Sequence, residues 1–288
     1  MVIKLSYKTL LFFLCVMMVA ALCFWAERQP RFSVTVNTAP KGTPVPIIMY
    51  HHIMEQEEDA GDYVITPQEF ENDLVYLKSK GYTGVTGAQL IEYAENGTPL
   101  PEKPVFITFD DGYESTYRYA FPILKKHGFP AAVSIVGKFA DIYSGSIAKD
   151  ISYSQMNWQQ IKELSDSGII EIGNHTYDMH EANGSRKGCR IKEGESEEQY
   201  AAALADDIGR LQDKINVMTG KKPQIFAYPF GFFCRESVDT LKQMGIRLSL
   251  GCEEGTAYVS DSDSLINMKR YNRAHGKTSE AFFKKILK

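Results

Sequence analysis

The sequence predicts a single α/β domain in which helices cover a parallel sheet. Short apolar runs alternate along the chain with segments of helical periodicity, and several of these helical segments end at a glycine. Such alternation is typical of a parallel sheet, either closed into a barrel or open and doubly wound. About 250 residues remain once the N-terminal segments are set aside, which is enough for one large, well-buried domain.

Residues 1–26 carry the pattern of a signal peptide or signal anchor. An uninterrupted apolar run, Leu10–Ala26, follows Lys4 and Lys8. The two lysines favour a cytoplasmic N-terminus, which would place the rest of the chain outside the cell. We therefore expect a single-pass protein of the cell membrane with its catalytic domain outside, or a secreted protein if this segment is cleaved.

Composition sets two further boundaries. Residues 27–44 are polar, contain three prolines and show no period, as in a tether. The remaining domain is predicted to span residues 45–288. Within it, residues 183–198 are polar and charged and are predicted to form a surface insertion.

Five short apolar runs are the predicted strands of the sheet. They are bounded by turn residues and are rich in β-branched and aromatic side chains. The predicted strands are Val45–Tyr50, Val105–Phe109, Ala131–Val136, Ile169–Ile172 and Ile225–Ala227.

The intervening segments carry helix signals. Thr66 to Glu69 form a capping box with proline at the first helical position, and Gly81 ends that helix. Other helices are predicted before Gly128, Gly168, Gly220 and Gly245. The helix before Gly220 has a long apolar stripe made of Tyr200, Leu204, Ile208, Leu211 and Ile215.

Composition also excludes some classes of function. The formal net charge is −4 and no long basic block occurs, so nucleic acid is not an expected partner. Beyond the apolar N-terminal run the cysteines are Cys189, Cys234 and Cys252, an odd number without C-x-x-C spacing. A cysteine zinc site is not supported. The three are unrelated thiols, or two of them form a disulfide.

Two adjacent carboxylates follow the predicted strand Val105–Phe109. Asp110, Asp111 and Gly112 come directly after it, and active sites collect at the carboxyl ends of parallel strands. Neighbouring aspartates repel each other, whereas a metal cation would hold one as a ligand and leave the other to exchange protons. The same residues also fit an ordinary Asp-Gly turn before the next helix.

Two histidines follow the predicted strand Ile169–Ile172. His175 and His180 are five residues apart and would point about 140° apart on an α-helix, so they can converge only from a loop. With Asp111 they would form a site of two histidines and one carboxylate that leaves positions open. This donor set suits one divalent metal ion, Zn²⁺, with Co²⁺, Ni²⁺ or Fe²⁺ as alternatives. A structural role for each histidine is the other interpretation.

A third strand end carries aromatic residues, a proline and a glycine. Tyr228, Pro229, Phe230 and Gly231 come directly after Ile225–Ala227. These residue types fit a rigid loop that shapes a groove, and they fit a buried turn equally well.

Taken together, these motifs resemble those of polysaccharide deacetylases of the NodB-homology type, carbohydrate esterase family 4. The resemblance rests on TFDDG at 108–112, the His-Thr…His loop at 175–180 and Pro-Phe-Gly at 229–231, and it covers roughly residues 45–273. It implies a deformed (β/α) barrel with the site at the C-terminal ends of the strands. The histidine spacing is similar to that of the branch that includes the extracellular poly-N-acetylglucosamine deacetylases.

The resemblance also implies roles for the matched residues. Asp110 would be the general base that activates water at the metal. Asp111, His175 and His180 would be the metal ligands, and Asp178 is a weaker alternative to His180.

Around the third motif the resemblance implies an oxyanion site. The backbone N–H near Phe230, next to Pro229, would help to hold the oxyanion, and Tyr228 would line the substrate groove. The chain departs from the family pattern at Ala227, where an arginine is usual two residues before the proline.

That departure requires a cation from elsewhere to orient the base, and Arg270 and Arg273 are the candidates. The family's C-terminal Leu-x-His motif, which normally carries the general acid, is also not evident. In the similar branch the motif order looks circularly permuted, which makes His51, at the end of the first predicted strand, the expected acid. His275 is the alternative acid, and a buried structural histidine is the other interpretation of His51.

The expected activity is therefore metal-dependent hydrolysis of acetyl groups from N-acetylhexosamine units of an extracellular or cell-wall polysaccharide, with release of acetate. Such an enzyme is a hydrolase acting on non-peptide C–N bonds. Its expected partners are the acetylated polysaccharide and, through the N-terminal segment, the membrane; the sequence identifies no protein partner. The alternatives are an O-acetyl esterase on acetylated glycans and a catalytically inactive family member that binds carbohydrate.

Overall fold

The computed structural model describes residues 41–56, 58, 60–145 and 150–287. The predicted signal or anchor segment, residues 1–26, lies outside these residues, as does most of the predicted tether. Along the part of the chain that is described, no helix combines the length and the apolar character needed to cross a membrane.

Strands and helices alternate along the described chain, as the sequence predicts. The strands are β1 (Thr43–Val45), β2 (Ile47–Tyr50), β3 (His52–Ile53), β4 (Val64–Ile65), β5 (Thr83–Gly84), β6 (Pro104–Phe109), β7 (Ala131–Ile135), β8 (Ile170–Asn174), β9 (Ile225–Ala227), β10 (Leu248–Glu254), β11 (Ala257–Val259) and β12 (Met268–Asn272). The helices are α1 (Pro67–Ser79), α2 (Gly87–Asn96), α3 (Phe121–His127), α4 (Gly137–Gly145), α5 (Trp158–Asp166), α6 (Glu197–Thr219), α7 (Arg235–Gln243) and α8 (Ser279–Phe283).

Seven parallel strands form a closed barrel. β2 pairs with β6, and the order continues through β7, β8, β9 and β10 to β12, which pairs with β2 and closes the ring. β5 pairs with the start of β6 outside the ring. The predicted (β/α) barrel is confirmed, and the alternative of an open, doubly wound sheet is wrong.

The predicted strands are present, with shifted ends. The run Val45–Tyr50 is split at Pro46 into β1 and β2, and β1 pairs antiparallel with β11. β1 begins at Thr43, so two residues assigned to the tether belong to the domain. The barrel strands β10 and β12 were not predicted. β12 carries Arg270 at an inward position, which breaks the apolar pattern expected of a buried strand.

Successive side chains along each strand point alternately into the barrel and toward the outer face, which the helices cover. Phe106 of β6 packs in a cluster to which β2, β7, β9, β10 and β12 also contribute. Val105 and Ile107 pack in a different cluster, with helices α1, α3 and α5. Thr108 and Asp110 continue the inward series of Phe106 and are buried. The last inward position of a strand therefore faces the mouth of the barrel.

The long helix α6 covers one side of the barrel. It begins at a capping box on Ser196 and ends at Gly220, whose φ of 71° lies in the left-handed region. The predicted apolar stripe is fully buried: Tyr200, Leu204, Ile208, Leu211 and Ile215.

The segment 183–198, predicted to lie on the surface, leads into α6. One of its residues, Cys189, is fully buried, and its carbonyl accepts a hydrogen bond from the Tyr200 hydroxyl at 2.5 Å. The insertion is therefore partly packed into the protein. Cys189, Cys234 and Cys252 are free thiols, so the disulfide alternative is not formed among them.

Candidate active site

A cavity of about 370 Å³ opens at the C-terminal ends of the barrel strands. Residues at or just beyond the ends of β2, β6, β8, β9 and β12 contribute to its wall. Six of the predicted site residues line it: His51, Asp110, Asp111, His175, His180 and Phe230.

Asp111, His175 and His180 converge on one point, as the sequence predicts. One ligand atom from each residue lies within 4.8 Å of the other two. The Nε2 atoms of His175 and His180 are 3.4 and 3.1 Å from Oδ1 of Asp111. One carboxylate and two imidazole nitrogens fit Zn²⁺ or another divalent transition metal. The residues present therefore fit the predicted cation.

His175 is held in the orientation that a ligand requires. Its backbone N–H donates to the carbonyl of Ile135 at 3.0 Å, and its Nδ1 donates to the carbonyl of Ala227 at 2.8 Å. The second bond leaves Nε2 free to face Asp111. Burial lowers the pKa of His175, but the hydrogen bond to Asp111 and the nearby Asp110 carboxylate raise it above its ordinary value.

A tight turn directs Asp111 toward the histidines. Asp111 and Gly112 both have positive φ, 71° and 79°, and the N–H of Gly112 donates to the carbonyl of Asp110. Aspartate tolerates this conformation better than most residues. Burial raises the pKa of Asp111, but hydrogen bonds from His175 and His180 lower it well below its usual range. The Asp-Gly turn considered from the sequence is thus present and serves the site.

Asp110 makes a buried, two-pronged ion pair with Arg270. The two terminal nitrogens of the guanidinium donate to Oδ1 and Oδ2 at 2.9 and 2.7 Å, and both side chains are almost completely buried. Burial raises the pKa of Asp110, but the Arg270 charge and its hydrogen bonds lower it below its ordinary value. The carboxylate therefore stays ionised. Of the two candidate arginines, Arg270 is the one that contacts Asp110, although it is 160 residues away in the chain.

The other two candidates from the C-terminal region lie outside the cavity. Arg273 donates to Asp73 through Nε at 2.7 Å and through a terminal nitrogen at 3.2 Å. His275 Nδ1 lies 2.8 Å from Oε2 of Glu69. Neither side chain reaches the predicted site, because the chain beyond β12 turns back onto α1, which carries Asp73 and Glu69.

His51 occupies the inward position at the end of β2. Its ring lies edge-on to Tyr63, with centroids 4.9 Å apart. Among the described residues its buried Nδ1 has no hydrogen-bond partner. Burial lowers the pKa of His51, although Asp110 and Asp111 act in the opposite direction. The structure thus places this imidazole in the cavity with both carboxylates.

The neighbouring His52 is engaged by other groups. Its Nδ1 lies 2.7 Å from the hydroxyl of Ser115, and its Nε2 lies 3.1 Å from the carbonyl of Ser152. Its ring also stacks on Tyr113, with centroids 4.2 Å apart. His52 therefore supports the wall of the cavity.

Phe230 lies in a turn that can offer an amide to a ligand. The N–H groups of Gly231 and Phe232 donate to the carbonyls of Tyr228 and Pro229, and proline has no N–H. Neither of these two turn bonds, formed among the described residues, uses the amide of Phe230, whose φ is 56°. The Phe230 ring is 43% exposed and contacts the ring of His180, 4.6 Å between centroids.

Tyr228 does not line the groove, so that prediction is wrong. Its side chain is completely buried, lies edge-on to Phe226 and accepts a hydrogen bond from Ser237. Alternation is the reason, because Ala227 faces the barrel interior and Phe226 and Tyr228 face outward under the helices. Pro229 is also buried and shapes the turn without lining the cavity.

Seven other residues line the described cavity without having been predicted as site residues: Met49, His52, Tyr63, Val64, Tyr113, Cys252 and Asn272. Asn272 continues the inward series of Arg270, so recognising β12 from the sequence would have found it. Tyr63 and Tyr113 lie in loops, where no periodicity signals orientation.

Known proteins share both the sequence pattern and the fold. A family model for polysaccharide deacetylase matches residues 97–249, more than half of the chain. The poly-beta-1,6-N-acetyl-D-glucosamine N-deacetylase of Escherichia coli K12 is 27% identical over 237 residues. The match covers 76% of this chain but only 35% of that protein, so the chain spans about a third of its length.

Two further similarities agree with this match. The enzyme of the same name from Staphylococcus aureus MRSA252 is 24% identical over 217 residues, which cover 75% of this chain and 70% of that protein. The solved structure of a de-N-acetylase from Aggregatibacter actinomycetemcomitans superposes with a TM-score of 0.71 at 25% identity. That match covers 85% of this chain and all of the other chain.

Proposed function

This chain belongs to the polysaccharide deacetylase family, and from that membership we propose that it hydrolyses N-acetyl groups of an N-acetylhexosamine polysaccharide and releases acetate. One observation carries the proposal: an ionised, arginine-held Asp110 shares a cavity with the Asp111, His175 and His180 cluster and with His51. The relatives named for poly-beta-1,6-N-acetyl-D-glucosamine support that polymer as the first substrate to test.

We propose that Asp111, His175 and His180 hold one divalent cation, with Zn²⁺ as the first candidate and Co²⁺, Ni²⁺ and Fe²⁺ as alternatives. Their three ligand atoms and the Ala227 bond that orients His175 support this assignment. When bound, such a cation lowers the pKa of water and polarises the acetyl carbonyl.

The protein's own residues would then move the protons. Asp110, kept ionised by Arg270, takes a proton from the attacking water, and the water oxygen adds to the acetyl carbon. The amide N–H of Phe230 donates to the oxygen that becomes negative. As the C–N bond breaks, His51 gives a proton to the leaving amine, and acetate is released.

The proposal includes a location outside the cell. An extracellular polysaccharide cannot cross the membrane, so an enzyme acting on it has to be exported. The apolar run Leu10–Ala26 after two lysines supports a membrane anchor or a cleaved signal, with the enzyme held at the membrane or secreted accordingly.

The proposal predicts that Asp110→Asn retains the metal and loses its activity. The amide cannot accept the proton of water, so acetate release from N-acetylglucosamine oligomers should fall by at least about 100-fold. The full-length chain is loaded in turn with Zn²⁺, Co²⁺ or Ni²⁺ and assayed for acetate, and bound metal is measured on the same samples.

Asp111→Ala serves as the control, because it should lose both metal and activity. Unchanged turnover in Asp110→Asn would exclude the assigned base. Metal binding without acetate release from N-acetylated oligomers would favour an O-acetyl esterase if O-acetylated glycans are cleaved, and a binding role if they are not.

A further inference from the structure

We propose that Asp207, on helix α6, is a positioning residue that sets the geometry of the loop carrying both histidine ligands. The inference rests on the metal site of the proposed function, since it concerns how His175 and His180 reach that site. Asp207 lies outside every sequence motif that pointed to the site, and 27 residues separate it from His180 in numbering.

Asp207 binds the loop through two consecutive backbone amides. Its Oδ1 accepts a hydrogen bond from the N–H of Tyr177 at 2.7 Å, and its Oδ2 accepts one from the N–H of Asp178 at 2.8 Å. The two carboxylate oxygens thus accept hydrogen bonds from the backbone amides of two adjacent residues that lie between the histidines. Hydrogen bonds to a charged acceptor are roughly twice as strong as neutral ones.

The rest of the loop is braced by neighbouring groups. The side chain of Asn174 donates to the carbonyl of Ile208 at 2.9 Å and accepts from the N–H of Thr176 at 2.8 Å. On the opposite side, the N–H groups of Gly137 and Lys138 donate to the carbonyls of Thr176 and Tyr177. The loop is therefore clamped between the start of α4 and the middle of α6.

The clamp overcomes an unfavourable backbone conformation. Thr176 has a φ of 71°, which is costly for a β-branched residue and persists only where the surroundings hold it. The two amides that follow Thr176 are those that Asp207 binds. Without the carboxylate they would have no charged acceptor, and the backbone could relax away from the path that returns His180 to Asp111.

The side chain of Tyr177 adds a second attachment at the same place. Its hydroxyl donates to Oδ2 of Asp141 at 2.7 Å, and the Arg210 guanidinium lies 3.6 Å from the centre of its ring. A Cβ atom at Gly137 would come within 2.6 Å of this ring. Tyr177 is thus fixed between α4 and α6, and Asp207 acts on a segment that is already anchored at one point.

The expected consequence is a loss of metal affinity while the fold is retained. Removing groups that orient metal ligands typically weakens metal binding by 10–100-fold. Asp207→Asn keeps one acceptor oxygen but turns an NH₂ group toward one of the amides. We expect the Zn²⁺ dissociation constant to rise by about tenfold or more, and the visible spectrum of the Co²⁺-loaded protein to change.

The test uses the full-length chain and a matched control, Asp206→Asn. Asp206 is the exposed neighbour on the same helix, so this variant changes the same charge without touching the loop. Zn²⁺ affinity is measured by competition with a chromogenic chelator, and the melting temperature of the metal-free protein reports the fold. Weaker Zn²⁺ binding and an altered Co²⁺ spectrum in Asp207→Asn alone would support the proposal.

A folded Asp207→Asn protein with wild-type Zn²⁺ affinity and Co²⁺ spectrum would overturn it. If Asp207→Asn folds poorly, Asp207→Ser replaces it, because serine removes the carboxylate without placing an NH₂ group against the two amides. Wild-type Zn²⁺ affinity and Co²⁺ spectrum in a folded Asp207→Ser protein would likewise overturn the proposal. These readouts need no acetate release. If the protein binds metal normally but shows no deacetylase activity, this inference therefore still stands. If Asp207→Asn binds Zn²⁺ normally, the proposed activity still stands.

Discussion

At the scale of single residues, two adjacent aspartates acquire different environments. Asp110 continues the inward series of β6 and meets Arg270, whereas the left-handed turn at Asp111 and Gly112 sends the second carboxylate to the histidines. Burial alone would raise the pKa of both carboxyls. In each case the partner groups outweigh burial and lower the pKa below its ordinary value. One aspartate is thus available as a base and the other as a ligand.

The pH dependence of activity should report the Arg270 contact. Because burial raises the pKa of Asp110 and Arg270 lowers it, Arg270→Gln should raise that pKa. The acid limb of kcat/KM should then move to higher pH, by about 1–3 units. The profile is measured on N-acetylglucosamine oligomers with metal-saturated enzyme.

Arg273→Gln is the matched control, since it also breaks a buried arginine–aspartate pair, away from the cavity. Its acid limb should stay at the wild-type position. An acid limb that does not move in Arg270→Gln would show that Asp110 is not the group titrating there.

A leaving-group test separates the two candidate acids. His51→Gln should reduce acetate release from amide substrates by about 10²–10⁴-fold, because a poor leaving amine needs a proton. An activated ester such as 4-nitrophenyl acetate needs none, so its hydrolysis should fall much less. His275→Gln, whose side chain bonds to Glu69 outside the cavity, should leave both rates unchanged. Equal losses on both substrates in His51→Gln would argue against the acid role.

At the scale of elements, a buried polar cluster ties the C-terminal helix to the first one. Asp73 of α1 accepts hydrogen bonds from Arg273, from Ser279 of α8 and from the hydroxyl of Tyr50. The ring of Phe283 on α8 also stacks on Tyr76 of α1, with centroids 5.7 Å apart. The apolar C-terminal segment therefore packs on the domain.

Removing one member of this cluster should destabilise the whole domain. Asp73→Ala leaves the Arg273 charge buried and unpaired, and losing one partner of a buried pair typically costs about 3–5 kcal/mol. The free energy of unfolding is measured in urea, and Zn²⁺ affinity is measured on the folded protein, where we expect no change. Asp263→Ala, which breaks a surface pair with Lys242, should leave stability as it is. Equal stabilities of the two variants would show that the buried polar cluster around Asp73 does not stabilise the domain.

At the scale of the whole molecule, the site joins strands from all round the barrel. Groups at the ends of β2, β6, β8 and β12 meet at one mouth, together with the turn after β9. A cation bound there links these elements in the native state only. Binding should therefore stabilise the entire domain.

The melting temperature should report this linkage. At a free Zn²⁺ concentration 100 times the dissociation constant, binding adds about 2.7 kcal/mol, or a rise of about 5–10 °C. A chelator should reverse the rise, and Asp111→Ala should abolish it. Asp178→Ala is the control, because Asp178 pairs with Lys138 on the surface and lies outside the ligand cluster. A normal rise in Asp111→Ala would contradict the assigned ligands.

Much of the fold and of the site was predictable from local signals. Capping boxes, glycine stops and apolar runs mark elements by the chemistry of neighbouring residues, and strand–helix alternation implies parallel strands. The Asp-Asp-Gly and His…His motifs follow strand ends, so their meeting at one edge was a consequence of the parallel arrangement. The sequence by itself thus determined the class of fold and the residues that we propose as the ligand cluster and the base.

Closure of the barrel decided which distant residues meet in the site. β12 lies beside β2 only because the sheet forms a ring, and this contact brings Arg270 to Asp110 and carries Arg273 away to α1. Strand alternation, which depends on exact boundaries, turned His51 inward and Tyr228 outward. Local periodicity records which residues share a face of one element. It does not record which faces of distant elements meet, and that is why the tertiary structure alone selected these partners.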